Sequence, residues 1–230
     1  MTITLYELTG TDTSRPFSPH CWKTVMSLAH KELAYQTSAV PFTGVPEVED
    51  RIGKTVPVIR DGERVVRDSF DIAVYLDEAY PDRPSLFGGP GGIAMARFFE
   101  SWTQTQIHGV IGGALLLDIH AMLAPEDQAY FRQSREARFG RSLEEVVAAS
   151  EDRVRTLSDR LEPMRLVLKR QPFLGGEGPL FADYIVFGAF QWARTCSPLT
   201  LLDSKDPVGV WFERCLDLHG DIGRGVPAAA

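Results

Sequence analysis

Apolar and polar positions alternate with period two over Ile3-Thr4-Leu5-Tyr6, which predicts a strand. Trp22, Val25, Met26 and Ala29 then recur at i, i+3, i+4 and i+7, one apolar face of a helix. Ser18-Pro19 starts that helix, with serine as N-cap and proline at the first helical position. Leu33 to Val40 can form a second strand, and a short irregular or helical piece runs from Pro46 to Gly53. Two β-type runs follow, Val56-Pro57-Val58-Ile59 and Glu63-Arg64-Val65-Val66, separated by the turn dipeptide Asp61-Gly62. Proline removes a ladder donor, so Pro57 belongs at an edge, at a strand start or in a cis turn. A helix opened by Ser69 runs to Ala79, with Ile72, Tyr75, Leu76 and Ala79 as its inner face. The order is βαβαββα, which implies a mixed sheet flanked by helices.

From Pro81 to Gly92 seven of twelve residues are Pro or Gly, a composition that no helix or strand interior carries. This stretch, 81–92, reads as a linker between a first domain, 1–80, and a second, 93–230. Its Gly-Gly-Pro-Gly-Gly run lacks the Lys-Ser/Thr ending and the preceding strand of a phosphate loop. Beyond it the pattern is helical. Ile93 to about Met122 is a long apolar stretch loosened by Gly109, Gly112 and Gly113. Pro125 begins another helix that Gly140 can end, and Ser142-Leu143-Glu144-Glu145 has capping-box spacing. Pro163 kinks or divides the helix that follows. Phe181 to Ala193 is apolar almost all round, which predicts a central, buried helix. Asp206-Pro207 caps a last helix that ends near His219-Gly220. The expected architecture is an α/β half followed by an all-helical half.

The chain has 230 residues, 44% of them hydrophobic and 24% charged, with no apolar run near the ~18 residues of a membrane span. A formal charge of −7 disfavours nucleic acid as a partner, because phosphate binding needs clustered Lys and Arg. The first residues lack the basic and apolar segments of a secretory signal. Cys21, Cys196 and Cys215 are too few and too scattered for a disulfide framework or a zinc site, and His20, His30, His108, His120 and His219 show no metal spacing. A reducing, cytoplasmic setting without a resident metal is the expectation.

Four segments, in order and in spacing, carry a family resemblance. They are Ser18-Pro19-His20-Cys21-Trp22-Lys23, Val56-Pro57-Val58-Ile59, Asp68-Ser69-Phe70-Asp71-Ile72-Ala73-Val74-Tyr75-Leu76 with Tyr80-Pro81, and Phe181-Ala182-Asp183-Tyr184. The chain resembles the cytosolic glutathione transferases, and within them the bacterial β-etherase type and related enzymes of lignin-degrading fungi. That resemblance implies a thioredoxin-like first domain, a helical electrophile-binding second domain, glutathione as co-substrate, a detoxification-type transferase activity and a homodimer. It makes Ser18 the catalytic residue. It gives the backbone of Val56, before a cis Pro57, to the cysteinyl part of glutathione, Asp68 and Ser69 to its γ-glutamyl end, and Lys54 to its glycine carboxylate. Trp102 and His108 become candidates for the electrophile pocket. Leu180 stands where the family has a capping Ser, Thr or Asn, so half of that capping box is missing and Asp183 has a folding role.

The chemistry asked of Ser18 is modest. A free thiol titrates near ~8.5, and lowering that by about two units requires roughly 2.7 kcal/mol in favour of the anion. A hydroxyl donating to a charged acceptor contributes roughly 1.5–3 kcal/mol, and a helix N-terminus about 0.3–1 kcal/mol. Tyr6, Thr13 and Ser14 are rival hydroxyls. Cys21 makes the segment Ser-x-x-Cys, without the attacking thiol of a dithiol reductase. The alternatives to a transferase are a non-catalytic protein that binds glutathione or hydrophobic ligands, and a glutathione-dependent thiol reductase.

Overall fold

The computed structural model describes residues 2–49 and 54–229. Its first half is a four-stranded mixed sheet of order β2-β1-β3-β4, built from β1 (Ile3–Leu8), β2 (Tyr35–Val40), β3 (Val58–Asp61) and β4 (Arg64–Arg67). β1 runs parallel to β2 and antiparallel to β3, and β3 pairs antiparallel with β4 across the Asp61-Gly62 turn. The helices of this half are α1 (Pro19–His30) and α2 (Ser69–Ala79), with a 3-10 turn at Phe42–Glu47. The irregular piece expected from Pro46 to Gly53 falls partly outside the described residues.

Of the places open to Pro57 the structure takes the cis turn at a strand start, and the expected cap of α2 changes. β3 is an interior strand, flanked by β1 and β4, so Pro57 does not sit on an edge. It lies just before the strand, after a cis Val56–Pro57 peptide. The reason is local: the β1–β3 ladder ends at the Tyr6–Val58 pair, and proline has no N–H with which to continue it. The cap of α2 is Asp68 rather than Ser69. Its Oδ1 accepts from the backbone N–H of Phe70 at 2.8 Å and of Asp71 at 3.2 Å, which leaves Ser69 as the first helical residue. The inner face of α2 is Phe70, Ile72, Ala73 and Leu76, while Ala79 is exposed.

The second half holds α3 (Pro90–Thr103), a π-turn (Gln104–His108), α4 (Gly109–Ala114), α5 (Leu116–Ala121), α6 (Pro125–Phe139), α7 (Leu143–Arg155), α8 (Leu157–Arg160), α9 (Glu162–Leu168), α10 (Phe181–Cys196), α11 (Pro207–Leu216) and α12 (Leu218–Gly225). The first of these starts at Pro90, inside the stretch read as a linker, because proline fits the first turn of a helix. Gly140 ends α6 in a left-handed conformation, and Ser142 and Glu145 form the expected capping box. Pro163 stands in the first turn of α9, where the helix divides. α11 stops at Leu216; His219, Gly220 and Asp221 turn left-handed there.

α10 is the axis of the molecule, and fourteen of its sixteen residues are buried. Gly188 lets it cross the start of α1: a methyl group there would overlap the Pro19 carbonyl oxygen. Trp22 of α1 meets Phe187 edge-on at 6.0 Å. Phe181 packs between Phe70 and Phe87, at 5.4 and 5.3 Å, and so joins the start of α10 to α2 and to the linker. Asp183, wholly buried, gathers four donors: the N–H groups of Leu174, Gly175 and Leu180, and the Trp211 indole N–H. Leu180, which has no side-chain acceptor, also takes the Asp183 N–H on its carbonyl at 2.9 Å. Near the end of the chain, the Tyr184 hydroxyl bridges His30 Nδ1 at 2.6 Å and His219 Nε2 at 2.9 Å.

Candidate functional site

Ser18 lines a cavity of about 590 Å³ between the two halves. It is buried and caps α1, its Oγ accepting from the Cys21 N–H at 3.3 Å. A hydroxyl whose acceptor side faces the helix keeps its single proton for a donor bond elsewhere. Phe17, Pro19 and His20 line the cavity beside it, as do Leu8 and Phe42.

His20 accepts at Nδ1 from the Lys23 ammonium, 3.1 Å away, which places its proton on Nε2. Burial, and then the Lys23 charge, push its pKa down to about 3. His108 stands edge-on to His20 at 5.4 Å, and Trp192 edge-on to His108 at 5.8 Å. His108 Nδ1 lies 3.1 Å from Gln104 Oε1, which can only accept, so the His108 proton is on Nδ1. Its buried Nε2 has no partner among the described residues. Burial holds His108 well below the usual imidazole range, with His20 and Lys23 adding to the effect. Both rings are neutral at physiological pH. The row His20–His108–Trp192 forms one wall.

The opposite wall comes from α6 and α7. Val146, Ala149, Ser150 and Arg153 recur at i, i+3, i+4 and i+7, the face of α7 turned to the cavity. Gly113 of α4 brings α7 close: a methyl group at Gly113 would overlap Ser150 Oγ. Phe131, Arg135, Arg138 and Phe139 on α6, with Arg141 in the following turn, complete the lining.

The residues singled out from the sequence are not all brought to this cavity. Ser18 and His108 line it. Trp102 does not: it lies on α3 before the π-turn and packs against Phe99 at 6.2 Å, while Gln104 and His108 of the π-turn reach the cavity. Of the rival hydroxyls, Tyr6 donates to Glu49, and Ser14 donates to Asp12 at 2.6 Å. Thr13 is exposed, and none of the three lines the cavity. Lys54 is exposed in the turn before Val56. Asp68 is exposed at the head of α2, and Ser69 beside it is buried. Cys21 is buried, and burial pushes its thiol up to about 12. Cys196 and Cys215 are likewise buried and free. Among the described residues no group of three or more His, Cys, Asp or Glu is placed to hold a metal, and no helix is long and apolar enough to cross a membrane.

Sequence reading missed His20, Phe42, Trp192 and the cavity-facing arginines. For Arg135 and Arg138 there was a faint signal, their i, i+3 spacing on one helix.

Two family models match: the N-terminal domain of glutathione S-transferases over residues 13–84, and their C-terminal domain over residues 94–205. The chain belongs to the glutathione S-transferase family. The glutathione S-transferase-like protein ustS of Aspergillus flavus is 26% identical over 212 residues, 79% of this chain and 76% of that one. The crystal structure of glutathione transferase GSTFuA2 from the fungus Phanerochaete chrysosporium is similar with a TM-score of 0.76 and 29% identity, over 98% of this chain and 95% of that one. A glutathione S-transferase of Ceriporiopsis subvermispora, solved in complex with glutathione, gives a TM-score of 0.75 at 25% identity, covering 98% and 97% of the two chains. These relatives bear out the resemblance to cytosolic glutathione transferases of lignin-degrading fungi.

Proposed function

We propose that this protein is a glutathione transferase, in which Ser18 activates the thiol of bound glutathione for attack on an apolar electrophile. The observation that carries the reading is the place of the Ser18 hydroxyl: at the head of α1, on the cavity wall, with its acceptor side turned to Cys21 N–H. A thiolate there receives the serine proton as a hydrogen bond and lies at a helix N-terminus. The tripeptide lies along the cis Val56–Pro57 segment, with its γ-glutamyl end at Asp68 and Ser69 and its glycine carboxylate toward Lys54. Asp68 keeps a carboxylate oxygen for the ligand ammonium, since the α2 cap uses Oδ1. Sulfur forms a bond to an electrophilic carbon, the leaving group departs with the electron pair of the broken bond, and the thiol proton has already gone to solvent. Aryl ethers are the sharper substrate class, and the aromatic row His20–His108–Trp192 suits such rings.

The buried, high-pKa Cys21 speaks against a thiol reductase, because the thiolate is the reactive form. Exposed Met95 and Phe98 on α3 offer an apolar face for a second copy in a homodimer, and three free cysteines suit the cytoplasm.

The test is the ultraviolet thiolate absorbance of bound glutathione against pH, for wild type and Ser18→Ala. The midpoint is expected to rise by about one to two pH units in the variant, the equivalent of one hydroxyl hydrogen bond to an anion. An unchanged midpoint removes Ser18 from the mechanism. Failure of the wild type to bind glutathione removes the whole reading.

A further inference from the structure

The cavity that holds the electrophile in the preceding reading is lined by Arg135, Arg138, Arg141 and Arg153, and no Asp or Glu shares its lining. For a chain of net charge −7 this concentration runs against composition. The acidic groups of α6 and α7 make their contacts elsewhere. Glu136 and Glu144 both bind Arg132. Glu145 is held in the Ser142 capping box, within the field of Arg141, and Asp152 pairs with Arg155. Asp127 receives the N–H groups of Phe42 and Thr43. Arg132 and Arg135, one turn apart on the same helix, therefore differ in kind. Arg132 is clamped by two carboxylates, whereas Arg135 lies over the Phe131 and Phe42 rings at 4.7 and 5.5 Å and donates to Ser134 Oγ.

Among the described residues Arg135, Arg138 and Arg153 have no carboxylate partner. Arg135 is half-buried, and its pKa is lowered by burial and then by the like charge of Arg138. Arg135 gives up hydration against the Phe131 and Phe42 rings while the exposed Arg138 repels it, and an anion beside them relieves both effects. His20 and His108 stay neutral, so the positive field at this mouth belongs to the arginines. Ser18 is buried while Arg138, Arg141 and Arg153 are exposed, and the lining they share includes the apolar Leu116, Ile119, Phe131, Val146 and Trp192.

We propose that the electrophile is an apolar acid: its aromatic or aliphatic body lies along the cavity, and a carboxylate at the end remote from the reacting carbon is held by Arg135, Arg138 and Arg153. A guanidinium presents parallel N–H donors that match a carboxylate, which is the geometry a fixed anion site needs. This assignment rests on the reading of the site as that of a glutathione transferase.

The test compares two synthetic conjugates of identical shape, S-(4-carboxy-2-nitrophenyl)glutathione and its carboxamide, together with free glutathione, by calorimetry on the full-length protein. The carboxylate is expected to bind about ten- to a hundredfold more tightly than the carboxamide, the effect of charge-assisted hydrogen bonds. Raising the salt concentration is expected to narrow the gap. In Arg138→Gln/Arg153→Gln the ratio falls toward one, and in Arg138→Lys/Arg153→Lys it is largely kept. Equal binding of the two conjugates by wild type overturns the anion site while leaving the transferase reading intact. A variant that loses affinity for free glutathione in step with the carboxylate conjugate gives the arginines to the tripeptide, and also overturns it. No binding of glutathione by wild type overturns both readings.

Discussion

Lys23 and Glu100 form an ion pair across the two halves, the Lys23 Nζ standing 2.7 and 2.9 Å from the two carboxylate oxygens. The lysine side chain is 1% exposed and the glutamate 30%. Lys23 belongs to α1, the helix that Ser18 caps, so this pair ties α1 to α3.

Glu100→Gln leaves the Lys23 ammonium buried with neutral acceptors alone, the new amide oxygen and His20, whereas Lys23→Met removes the buried charge itself. The glutamate variant is expected to lose about 2–4 kcal/mol in urea unfolding and the methionine variant clearly less, because an unpaired buried charge costs more than a lost pair. Equal losses would mean that the ammonium reaches water.

Glu7 is buried on β1 with Oε2 unpartnered, and burial raises its pKa from 4.5 to about 7 against a smaller opposing bond from Thr37. The folded state binds the proton more tightly than the unfolded one, so stability falls as pH rises from about 4.5 through about 7 and stays low above that. The full difference is on the order of 3 kcal/mol. Glu7→Gln is expected to flatten this slope and to raise the midpoint of thermal unfolding at pH 8. A variant with the same slope as wild type would rule out Glu7 as its source.

Asp183 receives the backbone N–H groups of Leu174, Gly175 and Leu180, and the Trp211 indole N–H besides. Asp183→Ala orphans four donors in the core, at an expected cost of about 3–5 kcal/mol. Thiolate titration of whatever folded protein is recovered is expected to match wild type. A shifted midpoint would give Asp183 a part in the chemistry.

Gly188 has its place because α10 touches the Pro19 carbonyl. Gly188→Ala is expected to destabilise by about 1–3 kcal/mol through overpacking. It is also expected to weaken thiol activation, because the turn of backbone that moves adjoins Ser18. An alanine variant with native stability would show that α1 can shift freely.

Much of the framework was readable from short-range signals. Ser18-Pro19, Pro125, Gly140 and the Ser142 capping box mark helix ends by chemistry that acts within a few residues, and the structure has each where it was expected. The interior position of β3 was not readable, since strand order depends on partners far along the chain. Asp68 and Ser69 are both good caps, and only backbone geometry separates them: Asp68 has a φ of 68° and its side chain receives the N–H groups. The cavity was the least legible part. Arg132 and Arg135 look alike in sequence; what distinguishes them is which carboxylates α7 carries back across the Gly140 turn. Trp102 was not separable from His108 in the sequence because the π-turn between them changes their relative phase, and only the residues of that turn reach the cavity.

The bridge from His30 through Tyr184 to His219 has a consequence for the order in which the molecule matures. The helix that carries Ser18 is synthesised well before the residues that cover it, Phe187, Gly188 and His219. A nascent chain that has emerged only through the sheet half shows the apolar flank of α1 to water. Its serine is in place in sequence but not held in space. The surroundings of Ser18 are therefore completed only after α10 has been made.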